Sequence, residues 1–97
     1  MNIAQKIRAM RKAEGLTQAR FCEISGLALS TLKNYEGGHA EPGLQVVLRI
    51  TNTPQLEKYT LWLMTDKTAP EAGQISPVVA HSGQGETTLS PSGRKTG

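Results

Sequence analysis

The stretch TQARFCEISGLALSTLKNYE, residues 17–36, decides the fold, because its spacing predicts two short helices that meet at a sharp turn. Thr17 is a good N-cap residue, since its side-chain oxygen can accept a backbone N–H two or three positions on, so we expect a helix from Gln18. Gly26 ends that helix, because glycine enters the left-handed conformation of a tight turn without steric cost. A second helix is expected from about Ala28 to the end of the stretch. Thr17 and Gly26 are therefore predicted to be structural residues of the turn.

Each of the two helices is expected to have an apolar face. Phe21 and Cys22 point inward from the first helix, and Leu32 and Tyr35 share a face of the second, with Leu27 behind them. The other face of the second helix carries Leu29, Ser30, Lys33 and Asn34. A glycine at the corner, apolar anchors beneath and a solvent face free to meet DNA are what a helix-turn-helix requires.

This pattern resembles the helix-turn-helix of the phage repressor and Cro family, also called the XRE family. The resemblance extends to GLTQ at 15–18, to YEGGHAEP at 35–42 and to Arg11 in the preceding helix, and it covers about residues 2–64. It implies an all-α, compact five-helix domain like that of lambda repressor, in which helices two and three form the helix-turn-helix. It also implies a Cro-like transcriptional repressor that binds a palindromic, double-stranded operator as a homodimer through the major groove.

The resemblance also implies which residues touch DNA. The expected base-reading residues are Leu29, Ser30, Lys33 and Asn34. Leucine can contact a thymine methyl, lysine can reach guanine O6 and N7, and asparagine can pair with adenine N6 and N7. The expected phosphate-binding residues are Gln18, Arg11, Arg20 and Thr31. Two alternatives stay open: Leu29 could belong to a core stripe with residues 32 and 36, and Gln18 could be an exposed side chain without a role.

Three features, one of them a residue pair, affect how the helix-turn-helix is assembled. Arg11 and Glu36 match a family ion pair that ties helix one to the end of the reading helix. Arg20 stands where the family often has Glu, which breaks the reciprocal capping box of helix two. Ala28 stands where Ser or Thr is usual, so the sequence defines the first residue of the reading helix only to within about one position.

The sequence predicts helix one before this region and helices four and five after it. Asn2 and Gln5 form a capping box for helix one, which runs up to Gly15, and its outward-facing basic residues are Lys6, Arg8 and Lys12. Helix four is expected from 44 to about 52. Thr53 as N-cap and Pro54 as first residue predict a fifth helix to about 65.

Helix five carries more apolar surface than one buried face needs. Leu61, Trp62 and Met64 extend beyond its core stripe, and they are predicted to form a dimer interface. The alternative is that Trp62 folds back over helices one and four. The same apolar surface, or the tail, supports a second hypothesis of function, an antitoxin-like or adaptor protein whose main partner is another protein.

Composition changes near residue 69, which predicts a domain at 1–69 and a flexible tail rich in Pro, Gly, Ser and Thr at 70–97. Val78, Val79 and Ala80 in the tail could dock as a short strand or as a partner motif.

Positive charge concentrates in residues 1–35, where six basic and two acidic side chains give +4, whereas three basic and four acidic side chains give −1 in residues 36–69. This asymmetry suits a phosphate-facing surface on the helix-turn-helix half.

The remaining composition argues against other classes of protein. The 97 residues carry a net charge of +3 and a single cysteine, Cys22, which predicts a reducing compartment. No segment approaches the roughly 18 apolar residues of a membrane helix, and the N-terminus is too polar for a secretory signal. We therefore expect a cytoplasmic protein of a bacterial or phage-infected cell. His39 and His81 lack ligand-spaced companions, so no enzyme activity, metal or cofactor is expected.

Overall fold

A computed structural model describes residues 1–77, and in this part the chain is all-α. Its helices are α1 (Ile3–Ala13), α2 (Gln18–Ser25), α3 (Leu29–Glu36), α4 (Leu44–Thr51) and α5 (Thr60–Thr65). Two 3-10 segments, Glu57–Tyr59 and Pro70–Ala72, flank α5, and the β structure within residues 1–77 is one isolated bridge between Ala69 and Gln74. The predicted five-helix class is confirmed.

Local signals set the ends of the first three helices. The Asn2 side chain accepts the backbone N–H of Gln5 at 2.8 Å, and the Asn2 N–H donates to the Gln5 side chain at 2.9 Å, which completes the capping box of α1. The Thr17 hydroxyl accepts from the N–H of residue 20 at 3.0 Å. Gly26 ends α2 at φ +79°. Ala28 makes no side-chain cap, and α3 begins one residue after it.

One core joins all five helices. The largest side chains with no exposed surface are Ile7, Met10, Phe21, Leu32, Ile50, Leu56, Tyr59 and Leu63. The inward positions predicted for Phe21, Cys22, Leu32 and Tyr35 are confirmed, since each is at most 8 % exposed. Truncating a fully buried leucine in such a core costs about 2–5 kcal/mol. The helix-turn-helix is thus fastened to the rest of the domain by its apolar faces.

Lys6 differs from the sequence prediction, which placed it on the outer face of α1. It is only 4 % exposed. Its ammonium donates to the carbonyls of Trp62 and Leu63 at 3.1 and 3.3 Å, lies 2.6 Å from Asp66 Oδ1 and lies 5.1 Å from the Trp62 ring centre. Lys6 therefore caps the C-terminal end of α5, where carbonyls lack helical partners.

The fifth helix is shorter than predicted. Thr53 does not cap it, because its hydroxyl donates to the carbonyl of Arg49 at 2.9 Å. A turn and then a 3-10 segment precede α5, which begins only at Thr60. The N–H of Leu61 donates to the Gln74 side chain at 2.9 Å, and the Gln74 amide donates to the carbonyl of Glu57 at 3.1 Å. In a continuous helix the N–H of Leu61 would donate to the carbonyl of Glu57, but here the Gln74 side chain bonds both groups.

Residues 70–77, which the sequence assigns to the tail, make contacts with the domain. Beyond the bridge to Gln74, the N–H of Ile75 donates to the carbonyl of Lys58 at 2.9 Å, and the Ile75 side chain packs against the core. Ser76 and Pro77 are buried. Residues 70–77 therefore pack on the domain. The rest of the flexible tail predicted for 70–97, which is residues 78–97 with the docking segment Val78, Val79 and Ala80, lies outside the described residues.

Candidate nucleic-acid interface

The corner between α2 and α3 is held from below by α4. The Arg49 guanidinium donates from Nη1 to the carbonyl of Gly26 at 3.0 Å. The positive φ of +79° favours glycine here, and a Cβ added at Gly26 would lie 3.3 Å from that same nitrogen, so the Arg49 side chain would have to shift slightly. The angle between the two helices is thus set by one residue of the turn and one long side chain that meets it.

The outer face of α3 is open to solvent. Ser30, Lys33 and Asn34 are exposed, and within residues 1–77 their side chains have no hydrogen-bond or ion-pair partner. Leu29 is 40 % exposed and lies outside the core cluster, so the structure does not place it in the buried stripe considered above. The four predicted base-reading residues therefore share one accessible surface on the first two turns of α3.

A buried carboxylate fixes the inner end of this helix. Glu36 is only 7 % exposed at its side chain. Arg11 donates to it twice, from Nε at 2.7 Å and from Nη2 at 2.8 Å, and Gln18 donates from Nε2 at 3.0 Å. Glu36 thus ties α1 and the start of α2 to the end of α3, and the predicted pair with Arg11 is present as a two-pronged contact.

The charge state of this carboxylate follows from its partners. Burial by itself would raise the pKa of Glu36, but the hydrogen bonds from Arg11 and Gln18, with the charges of Arg11 and Arg8, outweigh it. The pKa is therefore held below its ordinary value of 4.5. Glu36 is negatively charged at neutral pH, and Arg11 neutralises it.

The predicted phosphate-binding residues occupy different environments. The Arg11 side chain is 12 % exposed, and its third nitrogen donates to the carbonyl of Leu16 at 2.8 Å, so little of it faces solvent. Arg20 is 60 % exposed and pairs with Glu23 at 3.0 Å. Thr31 is half-buried on α3, and Gln18 is half-buried at the first position of α2. The structure brings Arg11 and Gln18 together at Glu36, and it joins neither of them to Arg20.

One basic residue at this junction was not singled out from the sequence. The Arg8 side chain is 52 % exposed, and its Nε lies 3.8 Å from Glu36 Oε1. Its position one turn before Arg11 on α1 was the signal available in the sequence, because residues three apart on a helix are neighbours. Without knowing that Glu36 is buried beneath α1, nothing distinguished Arg8 from the other basic residues of that helix.

The predicted dimer interface is only partly accessible. Trp62 is 8 % exposed and lies against Lys6 of α1, so for this residue the alternative of folding back over helix one describes the structure. Leu61 is half-buried and Met64 is 53 % exposed. A second apolar pair, Leu44 at 65 % and Leu48 at 45 %, lies on α4 and was not anticipated. The apolar surface of α5 is therefore smaller than the sequence suggested.

The single cysteine, Cys22, is buried in the core. Burial raises the pKa of the Cys22 thiol, and the nearby charge of Glu36 adds to this, so the thiol stays protonated and is a poor nucleophile. Within residues 1–77, no three His, Cys, Asp or Glu side chains are grouped closely enough to hold a metal ion. No helix in this range has the length and apolar character of a membrane span.

Comparison with known proteins gives two matches. A helix-turn-helix family model matches residues 7–58, a range that contains most of α1 and all of α2 to α4, and so includes both the reading helix and the Arg11–Glu36 pair. The chain is also 48 % identical over 95 residues to repressor protein C of Escherichia phage P2, covering 98 % of this chain and 96 % of that protein. The similarity to this repressor therefore extends beyond the helix-turn-helix through α5 and the segment that follows it.

Proposed function

Because this chain belongs to the helix-turn-helix family of phage repressor and Cro type, we propose that it is a sequence-specific transcriptional repressor that binds operator DNA through α3. The observation that carries the proposal is the exposed outer face of α3, together with the contacts of Glu36 that fix the C-terminal end of this helix. An exposed face on a rigid helix is what reading base edges in the major groove requires.

Each residue of that face has a chemistry that suits a base edge. Asn34 can donate to and accept from adenine, Lys33 can donate to guanine, and Leu29 offers apolar surface to a thymine methyl. Ser30 can bond either a base or a phosphate. These contacts would supply sequence preference, whereas the phosphate contacts set the register of the protein on the duplex.

Gln18 is the proposed phosphate contact at the start of α2. Its amide donates one N–H to Glu36, which fixes the side-chain orientation and leaves a second N–H available. The first backbone N–H groups of α2 lack helical partners, so a phosphate there would also meet the positive end of the helix dipole. Arg20 and Thr31 are further candidates, and the largely covered Arg11 would act mainly by holding Glu36 and Gln18 in place.

The experiment that tests this function is a selection of binding sites from a random duplex library, followed by titration of the selected duplex at two salt concentrations. We expect one recurring sequence, bound much more tightly than random DNA and more weakly as salt rises. A selection that enriches no sequence, with equal affinity for every duplex, would contradict sequence-specific binding. Occupancy of a promoter, without chemical change to the DNA, would be the mechanism of repression in the cytoplasm.

The proposal includes a homodimer on a palindromic operator, with half-sites about one helical turn, roughly 34–36 Å, apart. Met64, with Leu61 beside it on α5, is the proposed contact between copies, because Met64 is the most exposed apolar side chain of that helix. Dimer formation would also add buried surface to a small domain.

Sedimentation of two matched variants separates this interface from the apolar pair on α4. The two variants are matched, because both replace an about half-exposed apolar residue by the same charge. Met64→Glu should give a monomer with weaker operator binding, and Leu48→Glu should remain dimeric. A monomeric Leu48→Glu beside a dimeric Met64→Glu would move the interface to α4. If both variants remained dimeric, neither the surface on α5 nor the one on α4 would be the dimer interface. A selected site without symmetry would argue against a dimer.

A further inference from the structure

We propose that Arg8 and Lys12 of α1 form an additional contact with the phosphate backbone of the same DNA, next to Gln18, and this inference rests on the proposed function. Neither residue was among the predicted DNA contacts. The Glu36 carboxylate lies between two guanidinium groups, those of Arg8 and Arg11.

Arg11 already satisfies the carboxylate. Its Nε and Nη2 bond the two oxygens of Glu36, and its side chain is 12 % exposed. Arg8 approaches the same group only to 3.8 Å, beyond hydrogen-bond distance, and no other residue in the described part of the chain accepts a hydrogen bond from it. Two cations and one anion leave a net positive charge, and the half-exposed Arg8 is the one that presents it to solvent.

Arg8 lies beside the proposed phosphate contact. Arg8 Nε is 3.8 Å and Gln18 Nε2 is 3.0 Å from the same oxygen, Glu36 Oε1. The two nitrogens are therefore at most 6.8 Å apart, the sum of those distances. A guanidinium this close to a phosphate-binding amide can serve the same strand, because arginine donates in a fork that matches phosphate oxygens.

The surface next to Arg8 has room for the sugar-phosphate backbone of one DNA strand. An open groove of about 710 Å³ runs between α1 and the loop after α3. Arg8 and Lys12 line it from α1, and Gly37 and Gly38 line it from the loop without side chains to obstruct it. Lys12 is exposed and has no ion-pair partner within residues 1–77. Two acidic residues, Glu36 and Glu41, also line the groove; Glu36 is paired with Arg11, and Glu41 adds an opposing charge.

The salt dependence of binding tests the proposal, because each phosphate contact contributes about 0.9 to the slope of log affinity against log salt. Arg8→Gln and Lys12→Gln should each lower that slope by about 1, and the double variant by about 2. A slope change of about 0.9 means that the variant's deficit relative to the wild type shrinks by about 3.5-fold between roughly 50 and 200 mM salt. Arg8→Lys should keep the slope.

Lys67→Gln is the matched control, since it removes the same charge from an exposed position after α5. Its slope should equal that of the wild type; an equal fall for Lys67→Gln would show an effect of net charge and overturn the proposal. An unchanged slope in Arg8→Gln would also overturn it, even if affinity fell, because a merely structural role weakens binding at every salt concentration alike. If Arg8→Gln does not fold, the slope of Lys12→Gln decides the test, because Lys12 makes no ion pair within residues 1–77 whose loss could destabilise the domain.

The wild-type titration separates this inference from the proposed function. A wild-type protein that shows no salt-sensitive binding to any duplex would defeat the proposed function itself. A wild type that binds its selected site normally, with slopes that neither variant changes, would defeat only the contact by Arg8 and Lys12.

Discussion

The helix-turn-helix at 17–36 and the segment at 53–77 are both well packed, but different contacts hold them. In the first, the Thr17 cap spans three residues, and Gly26 turns the chain by its own backbone conformation. In the second, Lys6, which is distant in the sequence, pairs with Asp66, and Gln74 bonds groups on either side of the boundary between the 3-10 segment and α5. The reading helix is therefore shaped locally, whereas the α5 region depends on long-range polar contacts.

Two long-range contacts do belong to the helix-turn-helix, Arg49 with the Gly26 carbonyl and Arg11 with Glu36, and breaking the second should have the largest effect. Glu36→Ala leaves Arg11 as a covered charge without its partner, so we expect the free energy of unfolding to fall by about 3–5 kcal/mol. Urea unfolding measures this. Glu23→Ala is the control, since its pair with Arg20 is more than half exposed on both sides and should change stability by at most about 1 kcal/mol. Equal losses in the two variants would show that Glu36 does not organise the junction.

The next effect belongs to the α5 region. Lys6→Met keeps the approximate volume of the side chain but removes its bonds to two carbonyls and Asp66, which should cost about 1.5–3 kcal/mol. Lys12→Met on the exposed face of the same helix is the comparison and should stay within about 0.5 kcal/mol of the wild type. If thermal unfolding gave the same stability for both variants, the cap on α5 would contribute nothing.

The smallest of the three effects separates backbone strain from crowding at the corner. Gly26 and Gly38 have nearly the same φ, +79° and +78°, so alanine at either should cost about 1–2 kcal/mol for the left-handed conformation. Only at Gly26 would the new Cβ meet Arg49, at 3.3 Å, whereas Gly38 has open space around it. Gly26→Ala should therefore be the less stable variant in urea unfolding. Equal stabilities would show that contact with Arg49 adds nothing to the cost of a side chain at this position.

The same contrast explains how far the sequence could be interpreted. The capping box at Asn2, the Thr17 cap and the turn at Gly26 were predictable because each depends on residues close together in the chain. α3 begins at Leu29, directly after Ala28 and within the one position that the sequence left undecided. The proposed base-reading face could likewise be placed on α3 from helical spacing and family resemblance, and the structure leaves that face exposed.

Errors occurred where a distant residue decided the outcome. Lys6 was predicted to be exposed because its own helix gave no sign of the α5 carbonyls above it. The predicted fifth helix was too long because Gln74, assigned to a tail, bonds the backbone that the helix would have used. Arg8 was passed over for the same reason, since its closeness to Glu36 depends on how α1 crosses α3.

Base reading by the outer face of α3 can be tested with alanine variants of Asn34 and Lys33, each titrated against both the selected duplex and a scrambled one. We predict a loss of about 1–3 kcal/mol on the selected duplex for each variant, relaxed preference at one base pair, and unchanged affinity for the scrambled duplex. Gln18→Ala should instead weaken both complexes. Equal losses on the two duplexes for Asn34→Ala and Lys33→Ala would contradict base reading by this face.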